Sequence, residues 1–142
     1  MEKAYIAING DNVGQGIGNA VASDDYEGLS KLSQNIKDSH GMIEGWIESK
    51  GGEVITSTGD EGIYAIPLEA CEELESIKSQ YQEMSGNTIT IGVGSSMSEA
   101  SKALIYGKLN EKDQIVEYFP EIESYLSEDD EENVRWWCEV YL

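Results

Sequence analysis

Apolar residues fall along this chain in two rhythms, one of two and one of three to four. Ala4 to Asn9 (Ala-Tyr-Ile-Ala-Ile-Asn) is a short apolar, β-branched run that ends at Gly10, which predicts a buried strand. Gly10, Gly14, Gly16 and Gly18 follow closely and read as a glycine-rich loop. From about Asp24 to Lys50, Leu29, Leu32, Ile36, Ile43 and Ile47 recur at helical steps, so an amphipathic helix is expected, stopped by Gly51-Gly52. Glu53 to Ser57 and Ile63 to Ile66 are strand-like runs joined by Thr58-Gly59-Asp60-Glu61-Gly62, a predicted hairpin. After Pro67, Ala70, Leu74, Ile77, Tyr81 and Met84 mark a second helix that reaches about Ser85 and stops at Gly86-Asn87. Thr88 to Val93 is a fourth strand.

Ser96 with Glu99 three residues on forms a capping box, opening a third helix through Ala100, Ala103, Leu104 and Gly107 to about Asn110. Gln114 to Phe119 is an expected edge strand. From Pro120 the tail carries an acidic run, Glu128 to Glu132, and then Val134, Trp137, Cys138 and Tyr141 at helical spacing, a final helix packing through Trp137. The order strand, helix, hairpin, helix, strand is the split βαβ, ferredoxin-like arrangement. The expected fold class is therefore α/β (α+β): a βαββαβ core with an antiparallel sheet, plus a third helix, an edge strand and a C-terminal helix. No linker or repeat divides the chain, so residues 1–142 are expected to form one domain with a helical tail from about 120.

Charge narrows the function. With 28 Asp and Glu against nine Lys and Arg, a net charge of −19 repels a polyanion such as duplex DNA. A small anionic ligand carried in with metal ions is still admitted, because the metal supplies the missing positive charge. No apolar stretch approaches the roughly 18 residues of a membrane span, and Met1-Glu2-Lys3-Ala4 lacks a signal peptide's basic and apolar regions, so a cytoplasmic protein with no membrane partner is expected. Cys71 and Cys138 have no metal-ligand spacing and read as buried thiols. His40, the one histidine, reads as a surface or half-buried residue rather than a catalytic base, and Trp136-Trp137 as packing rather than a base-stacking platform.

The acids are the candidate chemistry. The first strand ends at Asp11, and the hairpin tip holds Asp60 and Glu61; in this topology the first strand is central, so carboxylates from both places can meet at one sheet edge. Magnesium uses one or two carboxylates plus phosphate oxygens and water. Against this, Asp60-Glu61-Gly62 and Asp11-Asn12 also have plain readings as turn residues. The glycine run lacks both the Gly-Lys-Ser/Thr ending of a P-loop and the last Gly of a dinucleotide fingerprint.

Three segments in one order resemble the signature regions of polymerase-cyclase palms: Ile6-Ala7-Ile8-Asn9-Gly10-Asp11-Asn12-Val13-Gly14, Ser57-Thr58-Gly59-Asp60-Glu61-Gly62, and the stretch from Ala100 to Val116. These palms include GGDEF diguanylate cyclases, the large subunit of type III CRISPR effectors and, nearest in size and in the Gly-Asp-Asn loop, the minimal CRISPR polymerases. The resemblance covers about residues 4 to 119. It implies a nucleotidyltransferase or cyclase in which a 3′-hydroxyl attacks the α-phosphate of a nucleoside triphosphate, ATP or GTP, with Mg2+ or Mn2+, making a cyclic di- or oligonucleotide signal in antiviral defence. It further implies a homodimer with two palms facing each other.

Carried over by position, the resemblance makes Asp11, Asp60 and Glu61 the catalytic acids, and Asn9, Asp11, Asp60 and Glu61 the metal ligands. Asn12, Gly14, Lys108 and Lys112 become nucleotide-binding residues, the two lysines serving the terminal phosphates. Asn9 stands where the family usually has an Asp, Thr58 replaces the first Gly of the hairpin motif, and Gly62 its aromatic residue. Two alternatives follow: a nucleotide hydrolase similar to GTP cyclohydrolase III, which has a similar Asp-Asn loop, and a degenerate palm that binds nucleotide without turnover.

Overall fold

In a computed structural model, residues 2–126 are described. The elements are β1 (Lys3–Gly10), α1 (Val13–Ala22), α2 (Tyr26–Ser49), β2 (Glu53–Thr58), β3 (Glu61–Pro67), a 3-10 segment (Leu68–Glu73), α3 (Leu74–Ser85), β4 (Ile89–Gly94), α4 (Met97–Leu109), β5 (Ile115–Glu117) and α5 (Ile122–Tyr125). The predicted helix packing through Trp137, with Cys138, lies outside the described residues.

Five strands form one sheet in the order β2-β3-β1-β4-β5. β1 is central and antiparallel to both β3 and β4, in registers that set Asn9 opposite Glu61 and Gly10 opposite Ile89. β5 joins parallel to β4 across the α4 crossover. The first four strands are the ferredoxin-like core that the element order predicts, and β5 extends it.

Period two along β1 divides the interior. Ala4, Ile6 and Ile8 pack with Ile43 and Ile47 of α2 and with Leu74, Ile77 and Tyr81 at and along α3. Ala7, on the opposite face, packs with Ile63 and with Ala100 and Leu104 of α4. α4 can lie this close because β4 offers Gly92, where any Cβ would collide with the backbone of Ala100 and Leu104. Ser96 caps α4 as expected, accepting from the Glu99 amide at 3.1 Å. The returning arm differs: the Glu99 carboxylate takes the amide and hydroxyl of Ser95, at 3.0 and 2.8 Å.

Three local readings are corrected. The glycine run after Asp11 is not a loop: Val13–Ala22 is helical, and α1 packs on α2. Val13, Ile17 and Val21 recur at four residues, and this spacing prevails over the roughly 1 kcal/mol that each interior glycine costs a helix. His40 is neither surface nor half-buried but 5% exposed. Cys71, expected to be a buried thiol, is only partly buried, at the margin of the main core.

Candidate active site

β1 delivers Asn9 and Asp11 to the face that α4 covers, since alternate residues share a face. Asp11 is 1% exposed, and its carboxylate is surrounded by donors. Oδ1 accepts from Lys108 Nζ at 2.6 Å and Thr90 Oγ1 at 2.8 Å. Oδ2 accepts from Thr88 Oγ1 at 2.7 Å and from the Asp113 amide at 3.0 Å. Burial alone pushes this carboxyl up, but Lys108 with the two threonine hydroxyls outweighs burial and holds it below the ordinary aspartate value.

Asp60 occupies the two-residue turn between Thr58 and Glu61, after Gly59 at φ 57°. The turn is tied to the strand end, where the Gly10 amide donates to the Asp60 carbonyl at 2.9 Å. Its carboxylate receives no side-chain donor among the described residues. Burial pushes it up, and its own amide together with the charges of Lys108 and His40 only partly counters that. Gly10 is required between the two acids, because a Cβ there would stand 2.6 Å from Tyr81 Oη and 2.9 Å from Val13 Cγ2. Glu61 is buried and accepts from Asn9 Nδ2 at 2.8 Å.

Lys108 lies in the last turn of α4, where its Nζ also donates to the Gly10 carbonyl at 3.2 Å. Lys112 is not on the same helix. α4 ends at Leu109, and Glu111, Lys112 and Asp113 carry left-handed backbone at φ 78°, 56° and 48°. The four-residue spacing of the lysines is thus not a helical one, yet both converge on the end of β1, Lys112 Nζ donating to Asn12 Oδ1 at 3.1 Å. This unusual loop is held at Asp113, whose amide reaches Asp11 and whose carboxylate pairs with Lys78 at 2.5 Å. Gly14 sits exposed in the first turn of α1, with nothing within 4 Å of the place a Cβ would take.

Sequence reasoning missed the cavity beside these residues. About 770 Å3 in volume, it lies between α1, α2 and the hairpin, with Val13, Ile17, Leu29 and Ile36 as apolar wall and Asp60 at its rim. His40, Glu44 and Ser57 line it as a linked group: Ser57 Oγ donates to Glu44 Oε1 at 2.6 Å, and His40 Nε2 lies 2.5 Å from Ser57 Oγ and 2.9 Å from Tyr64 Oη. Burial lowers the His40 pKa, against the opposing pull of the Glu44 and Asp60 carboxylates. The four-residue step from His40 to Glu44 was legible as one helix face; that Ser57 would meet it from β2 was not.

Would these residues hold the divalent cation that such palms imply? An all-protein cage does not fit, because among the described residues no three His, Cys, Asp or Glu side chains gather for a metal. Asp60 does fit a cation that keeps phosphate and water as its other ligands: it is a partly buried carboxylate, without a side-chain donor, whose charged form burial disfavours. Glu61 stands next to it.

A sheet in this order with acids at the ends of β1 and of the hairpin defines a nucleotide cyclase or polymerase-type palm. The chain belongs to the minimal CRISPR polymerase domain family, whose pattern matches residues 5–118. Solved structures of similar fold include the active GGEEF domain of a diguanylate cyclase from Vibrio cholerae, at TM-score 0.61 and 17% identity over 82% of this chain and 83% of that one. The GGDEF domain of DgcB from Caulobacter crescentus, solved with c-di-GMP, gives TM-score 0.57 and 13% identity over 81% and 77%. A Csm1-Csm4 cassette in complex with cA4 gives 0.58 and 16% over 80% of this chain and 20% of that one. No curated protein matches the chain.

Proposed function

We propose that this palm joins nucleoside triphosphates, ATP or GTP, into a cyclic di- or oligonucleotide that serves as a signal in antiviral defence. Each bond forms when a 3′-hydroxyl oxygen attacks an α-phosphorus, and each releases one pyrophosphate. The observation that carries the reading is the meeting of Asp60, Glu61, Asp11 and Lys108 at one sheet end, beside an apolar cavity large enough for a nucleobase and sugar.

In this reading the base enters the cavity against Val13, Ile17, Leu29 and Ile36, with the His40–Ser57–Glu44 group offering polar contacts. Asp60, with Glu61 beside it, holds Mg2+ or Mn2+. When bound, the ion supplies charge stabilisation to the attacking and leaving oxygens. Lys112, Asn12 and the first-turn amides of α1 around Gly14 receive the phosphates, since a helix start leaves N–H groups unpaired. The tight turn at Gly59-Asp60 keeps the acid at a fixed distance from the strand end, which serves orientation. One site presents one triphosphate, so ring closure calls for two palms face to face, a homodimer in the cytoplasm. No helix among the described residues is long and apolar enough to cross a membrane.

Incubating the protein with each triphosphate and Mg2+ or Mn2+, followed by mass spectrometry, tests this. The expected product has the mass of a whole number of nucleotide units after loss of one pyrophosphate each. A ring-opened base would instead identify a hydrolase, and tight binding with unchanged triphosphate would identify a palm without turnover. Either result contradicts the proposal.

A further inference from the structure

The geometry points to Lys108 as a built-in replacement for a second metal ion: its ammonium occupies Asp11, so the site takes one divalent cation per chain, at Asp60, where a two-metal site would take two. This deepens the reading above and rests on it for the ion at Asp60.

A carboxylate offers about four lone-pair sites, and all four of Asp11 are taken. Lys108, Thr88, Thr90 and the Asp113 amide approach within 2.6 to 3.0 Å. Three of these donors are neutral: Thr90 lies on β4, Thr88 just before it, and Asp113 in the loop before β5. Only Lys108 brings charge. Its Nζ spans Asp11 Oδ1 and the Gly10 carbonyl, an oxygen pair of the kind a hard cation uses, and its charge is also felt at Asp60. The ammonium is therefore bonded to one acid and attracts the other. The lysine side chain is 22% exposed and the Asp11 side chain 0%. A second ion would have to displace this partner from a fully enclosed carboxylate. Asp60, in contrast, meets no side-chain donor among the described residues.

Mn2+ titration of the full chain, with free ion read by electron paramagnetic resonance, tests the assignment. Wild type is expected to bind one Mn2+. K108M opens the Asp11 position and should bind one more than wild type, whereas K108R, which keeps the charge, should bind the same number. D11N/K108M removes the new position and should return to the wild-type count. Melting adds a second readout: K108M leaves Asp11 buried without a counter-ion, so it should melt below wild type in chelator and recover with Mn2+, while D11N/K108M gains no more from Mn2+ than wild type does. Two ions in wild type, or no gain in K108M, overturns the role given to Lys108. A wild type that binds no ion while K108M binds one overturns the metal reading at Asp60 and leaves Lys108 as assigned.

Discussion

Asp11 and Asp60 are joined through a single backbone hydrogen bond at Gly10, yet their carboxylates live in opposite conditions. Asp11 is closed in, met by four donors and held below the usual aspartate range. Asp60 lines the cavity without a side-chain donor among the described residues and is pushed above it. Burial acts in the same direction on both; what differs is the supply of partners. The Thr88 and Thr90 hydroxyls, at and just before the start of β4, and Lys108 on α4 give their hydrogen bonds to Asp11, while Asp60 feels only the charge of Lys108. A motif that treats both residues as equal acids thus covers two functions, one that fixes the strand end and the α4–β5 loop, and one left available to a ligand.

The sharpest test of that division is chelation. If the free carboxylate works through a divalent cation, excess chelator should abolish product formation while the melting temperature stays nearly constant, because the fold's own counter-ion is Lys108. Undiminished turnover in chelator would remove the metal from the account. Next in size is Asp11→Ala, expected to cost about 3 kcal/mol or more in denaturant unfolding, since it strands a buried lysine and frees the Asp113 loop. A loss below about 0.5 kcal/mol would make the two aspartates alike.

Gly10→Ala should cost roughly 1–3 kcal/mol through its collision with Tyr81 Oη, and Tyr81→Phe should recover part of that loss. The Tyr81 hydroxyl is buried with no hydrogen-bond partner among the described residues, so removing it alone should be close to neutral. An equal loss with and without the Tyr81 change would contradict the contact. The smallest effect is the pH dependence. Asp11, depressed in the fold, adds stability as pH rises from its folded value towards 3.8; Asp60, elevated, removes stability as pH rises from 3.8 through its folded value. Asp60→Asn should therefore be slightly more stable than wild type at pH 7, with the gain vanishing below pH 3.8. A gain that grows on acidification would reverse the assigned direction.

Much of this arrangement could be read from the residues. The alternation in β1, the helical steps of Ile36, Ile43 and Ile47 and the turn at Gly59-Asp60 are local signals, and they lead to the sheet order and to the acids at one end. What escaped was set by contacts distant in sequence. Glycines 14, 16 and 18 argue for a loop until α2 is in place for α1 to pack against. His40 looks like a helix-surface residue until Ser57 and Tyr64 arrive from the hairpin. The sequence ends the third helix near Asn110 but gives no sign of the left-handed backbone that begins at Glu111, where Asp11 anchors the loop through Asp113. The occupancy of Asp11 depends on partners 77 to 102 residues away, beyond any local spacing rule.

Pyrophosphate release by wild type and Asp60→Asn, measured with ATP and with GTP in Mg2+ at equal concentrations of folded protein, tests the central claim most directly. Wild type should release pyrophosphate in step with cyclic product, and the variant should fall by at least on the order of 100-fold without a loss of melting temperature, because it loses the carboxylate assigned to the ion. Equal release by the two proteins would contradict the assignment of Asp60 as the acid that serves the reaction.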